Sequence, residues 1–175
     1  MNNVAVNARE VPLPVWSDSL CSFASKVLDE IKRDNWELSF LLCGNKTITA
    51  LNTQYRNKAE PTDILSFNLG IDVQTGEDQQ NDRIVYLPGD IVISLETLSE
   101  NARYLKIPED EELRRLIIHG ILHLDGMDHK TTDNNEPMLA LQEEILNRLQ
   151  DTHIIPDYSD NGNPHGHRLP PGGQL

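Results

Sequence analysis

Three histidines stand close together between residues 119 and 129, at spacings that suit a single metal ion. Residues four positions apart lie on one face of a helix, so His119 and His123 can point their imidazoles at one centre. Gly126 follows one turn later, where a glycine in the left-handed conformation can end the helix and turn the chain back. His129 can then approach the same centre. The pattern predicts a metal site on a helix and the turn that follows it.

Three histidine ligands leave one position of a tetrahedral zinc ion free, which is typical of catalytic rather than structural sites. Water in that position has a pKa of about 7, so hydroxide is available at neutral pH. A closed structural site would need a fourth ligand, and Asp125 or Asp128 could supply it or could instead orient the imidazoles. We expect one Zn²⁺ ion, held by His119, His123 and His129 in an open site.

The hydrophobic periodicity of the chain predicts helices and short strands in the order α-β-α-β-β-β-α-α-α. Apolar residues three and four apart indicate a helix from Trp16 to Ile31, and the alternation that starts at Trp36 indicates a strand. Further strands are predicted at 63–69, 84–87 and 90–94, and Pro108 is expected to open the metal-binding helix. The fold class is expected to be α+β, with a small mixed four-stranded β-sheet covered by helices.

Residues 1–155 are expected to form a single metal-dependent hydrolase domain, followed by a disordered tail at 156–175 that is rich in Asp, Asn, Gly and Pro. Residues 72–83 lack both periodicities, which predicts a mobile surface loop. No apolar run approaches the ~20 residues of a membrane span. Residues 1–10 have neither the basic start nor the apolar stretch of a secretory signal, so the expected location is cytoplasmic.

The net charge of −13 argues against a broad, nonspecific attraction to nucleic acid. The acidic residues are unevenly placed, because residues 1–60 carry 7 basic and 7 acidic side chains whereas residues 109–175 carry 5 and 13. A nucleic-acid substrate therefore requires a local basic patch, assisted by the positive charge of the metal ion.

The spacing HxxxHxxGxxH also occurs in metzincin peptidases, so the site is expected to have a metzincin-like outline. In those enzymes the residue after the first histidine is a glutamate that acts as general base, whereas this chain has Gly120. The chain thus lacks the carboxylate that would deprotonate the zinc water and protonate the leaving amine. Gly120 disfavours a metallopeptidase.

Three segments, in the same order, resemble the signature of the YbeY family. Residues 119–129, HGILHLDGMDH, match its pattern HGxLHLxGxDH. Residues 51–67 resemble its LN..YR...PTDVLSF stretch, and residues 89–94 resemble its GDIxIS strand. The resemblance covers about residues 15–150 and leaves out the insert at 72–83 and the tail.

This resemblance implies a zinc-dependent, single-strand-specific endoribonuclease that acts in rRNA processing, notably at the 3′ end of 16S rRNA, and in ribosome quality control. It implies zinc on the three histidines and gives Arg56, the arginine of the YR motif, a role in activity. A guanidinium can hold a phosphate by two parallel hydrogen bonds and stabilise charge on its oxygens. The alternative is that Arg56 is an ordinary exposed arginine beside Lys58. Asp63 and Asp90 also belong to the matching motifs and are interpreted as turn or scaffold groups.

The sequence leaves the nucleophile open, since either a zinc-bound hydroxide or a 2′-hydroxyl that it deprotonates could attack phosphorus. It also leaves open a different class of function. The resemblance suggests a non-catalytic ribosome-assembly factor that binds a small-subunit ribosomal protein or an Era-type GTPase. An acidic protein could bind a basic ribosomal protein more readily than naked RNA. A metallopeptidase is the third alternative.

Overall fold

The computed structural model describes residues 1–75 and 83–156 of the chain, which contain four strands and five helices. The strands are β1 (Asn3–Arg9), β2 (Trp36–Cys43), β3 (Ile64–Thr75) and β4 (Arg83–Ser94). The helices are α1 (Ser17–Glu30), α2 (Asn45–Arg56), α3 (Leu95–Leu105), α4 (Glu109–Leu124) and α5 (Pro137–Arg148). None of the described helices has the length and apolar character that a membrane crossing needs.

The strands form one four-stranded mixed sheet in the order β1-β2-β4-β3. β1 and β2 are parallel, as are β2 and β4, whereas β3 runs antiparallel to β4 and forms an edge of the sheet. The predicted α+β class and mixed four-stranded sheet are confirmed.

The two faces of the sheet are covered differently. On one face, alternate residues such as Leu38, Phe40 and Ile91 join the main core with the apolar faces of α1, α4 and α5. On the other face, α2 packs over a small cluster that contains Ile48, Leu65 and Val92. The metal-binding segment therefore belongs to the helical layer of the larger core.

β1 is a strand that the sequence pattern did not predict. It pairs in parallel with β2, with Val6 opposite Phe40. Its residues alternate between exposed and partly buried, and Val4 and Val6 pack only against the rim of the core. Such a weakly buried edge strand is stabilised mainly by its backbone hydrogen bonds. Because these bonds depend little on residue type, the sequence pattern does not indicate the strand.

The predicted mobile loop at 72–83 is wrong at both ends, because residues 72–75 belong to β3 and Arg83 belongs to β4. The two predicted strands at 84–87 and 90–94 are one continuous strand. Gly89 lies in it at φ 139°, and a Cβ atom there would lie 1.9 Å from the carbonyl oxygen of Phe67. The Pro88-Gly89 pair thus marks a close approach between two strands rather than a turn. The central part of the predicted loop, residues 76–82, and all of the predicted tail except Pro156 lie outside the described residues.

Candidate metal centre and active-site cleft

The end of α4 is built by a glycine-dependent cap. Gly126 has φ 91°, and its N–H donates to the carbonyl of His123 at 3.0 Å. The N–H of Met127 donates to the carbonyl of Leu122, also at 3.0 Å. These two bonds form a Schellman motif, which turns the chain back along the helix. Gly126 therefore has the conformation that the sequence predicted, and the following residues return toward His123.

The structure brings all three predicted histidines together. Their candidate ligand atoms lie within 4.8 Å of one another, and the Nε2 atoms of His119 and His123 are 3.0 Å apart. The centroid of the His129 ring lies 5.2 Å from that of His119 and 5.4 Å from that of His123. Helix spacing places the first two rings, and the reversal at Gly126 brings in the third.

Each of these histidines contacts an oxygen acceptor through Nδ1. His119 contacts the side-chain oxygen of Gln142 at 2.8 Å, His123 contacts the carbonyl of Met127 at 3.1 Å, and His129 contacts the carbonyl of Thr131 at 2.8 Å. Carbonyl oxygens can only accept, so each Nδ1 donates its N–H, and in the neutral imidazole this tautomer leaves a free lone pair on Nε2. Hydrogen bonds of this kind, made through the nitrogen that faces away from the metal, fix the orientation of metal-binding imidazoles.

The donor set fits a divalent metal ion. Two unprotonated Nε2 atoms at 3.0 Å repel each other unless a cation lies between them. Zinc–nitrogen bonds of about 2.0–2.1 Å in a tetrahedral site place two ligands about 3.3 Å apart, close to that separation. Burial lowers the pKa of His119 and of His123, which favours the neutral imidazole that a metal binds. Imidazole ligands also suit iron, nickel and copper, so the geometry indicates a metal site without identifying the metal.

The two aspartates that could have closed the site have other partners. Asp125 accepts from Arg33 at 2.5 and 3.2 Å. Asp128 accepts the backbone N–H of His129 at 2.8 Å, and its carboxylate lies 3.9 Å from Nδ1 of His123, the nitrogen that faces away from the cluster. Within residues 1–75 and 83–156, the group of convergent ligand atoms comprises the three histidines alone.

The histidines face a cleft of about 640 Å³. Arg56, the last residue of α2, also lines this cleft. The next residue, Asn57, has φ 55° and ends the helix, while the buried amide of Asn52 donates to the carbonyl of Glu60 at 2.9 Å. These contacts fix the backbone on both sides of Arg56, whose side chain is exposed. The cleft is lined by Arg56, Asp63, Ile64, Ser66, Asn68, His119, His123, Leu124, Gly126, Met127, Asp128 and His129.

The two motif aspartates have the contacts of scaffold groups. Asp63 accepts the N–H of Ile64 at 2.8 Å and the side-chain amide of Asn101 at 3.1 Å. Asp90 accepts from the hydroxyl of Ser39. Asp63 thus ties the start of β3 to α3, although it also reaches the cleft.

Gly120 faces the sheet rather than the cleft. A Cβ atom at this position would lie 2.9 Å from Cδ1 of Ile91 and 3.0 Å from Cδ1 of Ile64. A glutamate here would enter apolar packing instead of reaching a water molecule at the histidines. Both the residue type at position 120 and the packing around it therefore exclude the general base of a metzincin peptidase.

Gln142 is a site residue that the motifs did not reveal. It lies in α5, is 6% exposed, and donates through its amide nitrogen to Glu143 at 3.1 Å, which leaves its oxygen facing His119. Arg115 in turn donates to Glu143 at 2.9 Å. One signal was present in the sequence, since Gln142 is a polar residue on the apolar stripe that contains Leu139 and Leu146.

Comparison with known proteins agrees with this architecture. The family model described as endoribonuclease YbeY matches residues 6–150. This chain belongs to the YbeY family. A relative from Treponema denticola, named endoribonuclease YbeY, is 43% identical over 135 residues, which are 76% of this chain and 83% of that protein. A relative of the same name from Borreliella burgdorferi is 45% identical over 125 residues, or 71% of this chain and 81% of that protein.

The fold is also similar to the solution structure of TM1509 from Thermotoga maritima. The TM-score is 0.55 at 25% identity, over 96% of this chain and 100% of the other. The range matched to the YbeY family begins inside β1 and contains Arg56 and the three histidines. The residues that line the cleft are therefore part of the YbeY match.

Proposed function

We propose that this protein is a metal-dependent endoribonuclease that cleaves single-stranded RNA in rRNA processing, and that residues 1–155 form the single domain that carries the activity. The names of its relatives state endoribonuclease activity for those proteins. The observation that carries the proposal is the convergence of three histidine ligand atoms in a cleft that Arg56 also lines.

The metal is proposed to be one Zn²⁺ ion held by His119, His123 and His129. When bound, zinc supplies a Lewis acid that stabilises negative charge on phosphate oxygens and lowers the pKa of water. The protein contributes ligand orientation, because the Nδ1 contacts to Gln142, Met127 and Thr131 hold each imidazole in the required tautomer.

Arg56 is proposed to bind the scissile phosphate. Apart from the histidines, it is the one basic side chain among the described residues that line the cleft. Two nearby arginines are already engaged, Arg33 with Asp125 and Arg115 with Glu143. A guanidinium in this position can hold two phosphate oxygens and stabilise the charge that develops as phosphorus is attacked.

The test compares substrates and variants in one assay. The purified protein should cleave single-stranded RNA and leave casein intact, and chelation should abolish the cleavage until Zn²⁺ is restored. RNA with a single 2′-deoxy nucleotide at the cleaved linkage separates the two nucleophiles, because attack by water tolerates it and attack by the 2′-hydroxyl does not. RNA cleavage that persists undiminished in the His123→Ala variant would contradict the proposal.

We further propose that the substrate is 16S rRNA near its 3′ end, that the protein also serves ribosome quality control, and that it acts in the cytoplasm on the small ribosomal subunit. The family resemblance supports this, and it extends the partners to a small-subunit ribosomal protein and an Era-type GTPase. Co-sedimentation with small subunits and mapping of the cleaved 16S end would test it.

The net charge of −13 favours a second candidate function, a ribosome-assembly factor that binds a basic ribosomal protein. The two functions make different predictions for a wild-type protein loaded with metal. A protein that binds the ribosomal subunit but cleaves no RNA would support assembly alone.

A further inference from the structure

Tyr55 and Phe67 form an aromatic pair on the face of the sheet that lies opposite the metal cleft. Their ring centroids are 5.1 Å apart in an edge-to-face arrangement. Tyr55 is 59% exposed, whereas Phe67 packs partly against the small cluster under α2. An exposed aromatic ring held by a second ring offers a flat surface on which another planar group can stack.

The pair forms one wall of a groove of about 480 Å³ that crosses the sheet. Polar side chains of the strands also line it, namely those of Asn7, Ser39 and Asp90. Asp90 is the one ionisable acid or base besides Tyr55 among the described residues of the lining, so the groove does not suit a phosphate. An aromatic wall with nearby hydrogen-bonding groups suits a nucleobase, which has apolar faces and polar edges.

The groove and the metal cleft are separated by a single edge strand. Phe67 lines the groove, whereas its neighbours in β3, Ser66 and Asn68, line the cleft. Tyr55 and Arg56 are divided in the same way at the end of α2. A single strand of RNA that crosses the edge at β3 can therefore place a phosphate at Arg56 and a neighbouring base at Tyr55.

We propose that Tyr55 and Phe67 form a stacking platform for one base of the single-stranded RNA, close to the linkage that is cleaved. The proposal rests on the proposed function, because it takes RNA as the ligand of the cleft. It gives the site a preference for unpaired RNA, since a base inside a duplex cannot leave the stack to reach the groove at low cost.

The test measures binding separately from cleavage. Single-stranded 2′-O-methyl phosphorothioate RNA resists hydrolysis, and fluorescence anisotropy gives its dissociation constant for the full-length protein. Tyr55→Leu should weaken binding about tenfold and Tyr55→Phe should leave it unchanged, because stacking needs an aromatic ring. Tyr104→Leu is the matched control, since Tyr104 is 86% exposed on α3 and does not line the groove.

A set of RNAs, each with one abasic position, makes the test specific to stacking. The wild type should lose affinity at one position of the set, and the Tyr55→Leu variant should no longer distinguish that RNA from the intact one. Equal affinities of Tyr55→Leu and the wild type would overturn the platform. The platform would also be overturned if Tyr55→Leu bound RNA like the wild type but bound a basic ribosomal protein more weakly. The groove would then be a protein interface.

These outcomes separate the platform from the proposed function. RNA cleavage by the wild type, with no effect of Tyr55→Leu on RNA binding, would support the endoribonuclease activity and contradict the platform. Abasic-sensitive binding without cleavage would support the platform and contradict the proposed activity. A thermal unfolding scan of each variant confirms that the exposed substitution has not altered the fold.

Discussion

Replacing Gln142 by leucine should weaken metal binding without removing a ligand. Gln142 accepts the Nδ1 proton of His119 at 2.8 Å, and its own orientation is fixed by donation to Glu143 at 3.1 Å. Leucine has a similar size, so the buried position in α5 stays filled. The substitution leaves the His119 N–H without its acceptor in a site where burial already lowers the pKa of that histidine.

The size of the effect follows from the lost hydrogen bond. An unsatisfied buried donor costs about 1–3 kcal/mol. Loss of a residue that hydrogen-bonds to a metal ligand typically lowers metal affinity about 10- to 100-fold. We expect the dissociation constant for Zn²⁺ to rise by about that factor, with RNA cleavage falling in parallel when zinc is limiting. Excess zinc should restore most of the activity, because the three ligands are still present.

The assay is competition for zinc against a chromophoric chelator at pH 7. Gln142→Glu keeps an acceptor for Nδ1 of His119 but cannot donate to Glu143, so its zinc affinity should lie between those of the wild type and Gln142→Leu. Gln150→Leu is the matched control, at an exposed position just beyond α5. If Gln142→Leu bound zinc as tightly as the wild type, the role assigned to the Nδ1 contacts would be refuted.

Three further substitutions test other parts of the structure. Arg56→Lys keeps the charge but loses the planar fork, so kcat/KM for RNA should fall about tenfold or more with an unchanged melting temperature; equal activity would contradict the phosphate contact. Gly120→Glu should destabilise the fold by more than about 3 kcal/mol in urea unfolding, because the side chain would enter the packing against Ile91, and a stable variant with peptidase activity would refute the assigned packing. Asp110→Asn tests acid sensitivity. Burial opposes ionisation of Asp110, but hydrogen bonds from His153 and from two backbone N–H groups lower its pKa below the ordinary 3.8. This carboxylate therefore stabilises the fold above pH 3.8, and its contribution is lost as the pH falls through the lowered pKa. The variant should be less stable than the wild type at pH 7 and lose less stability on acidification, as measured by chemical unfolding at each pH; parallel pH profiles would contradict this.

The spacing of the histidines was sufficient to predict their convergence because it depends on local geometry. His119 and His123 share a helix face because they are four residues apart. A glycine in the left-handed conformation commonly ends a helix and turns the chain, which predicts the role of Gly126. Gln142 depends instead on tertiary packing, since α5 reaches α4 only after folding. Its signal was a single polar residue on an apolar stripe, which alone does not indicate what it contacts.

The strands show a similar division between local and tertiary information. β2 was predicted because apolar side chains recur at every second residue and are buried on one face of the strand. Residues 72–75 pair with β4 while remaining mostly exposed, so their polar sequence resembled a loop. The reason for a glycine at position 89 is a close contact with Phe67 of the neighbouring strand, which no local sequence pattern indicates.

The most direct test of the account is the metal content of the purified protein, measured together with RNA cleavage, for the wild type and the His119→Ala, His123→Ala and His129→Ala variants. We expect one Zn²⁺ per wild-type chain and the parallel loss of zinc and of cleavage in each variant. A variant that lacks metal and still cleaves RNA at the wild-type rate would contradict the proposed metal-dependent activity.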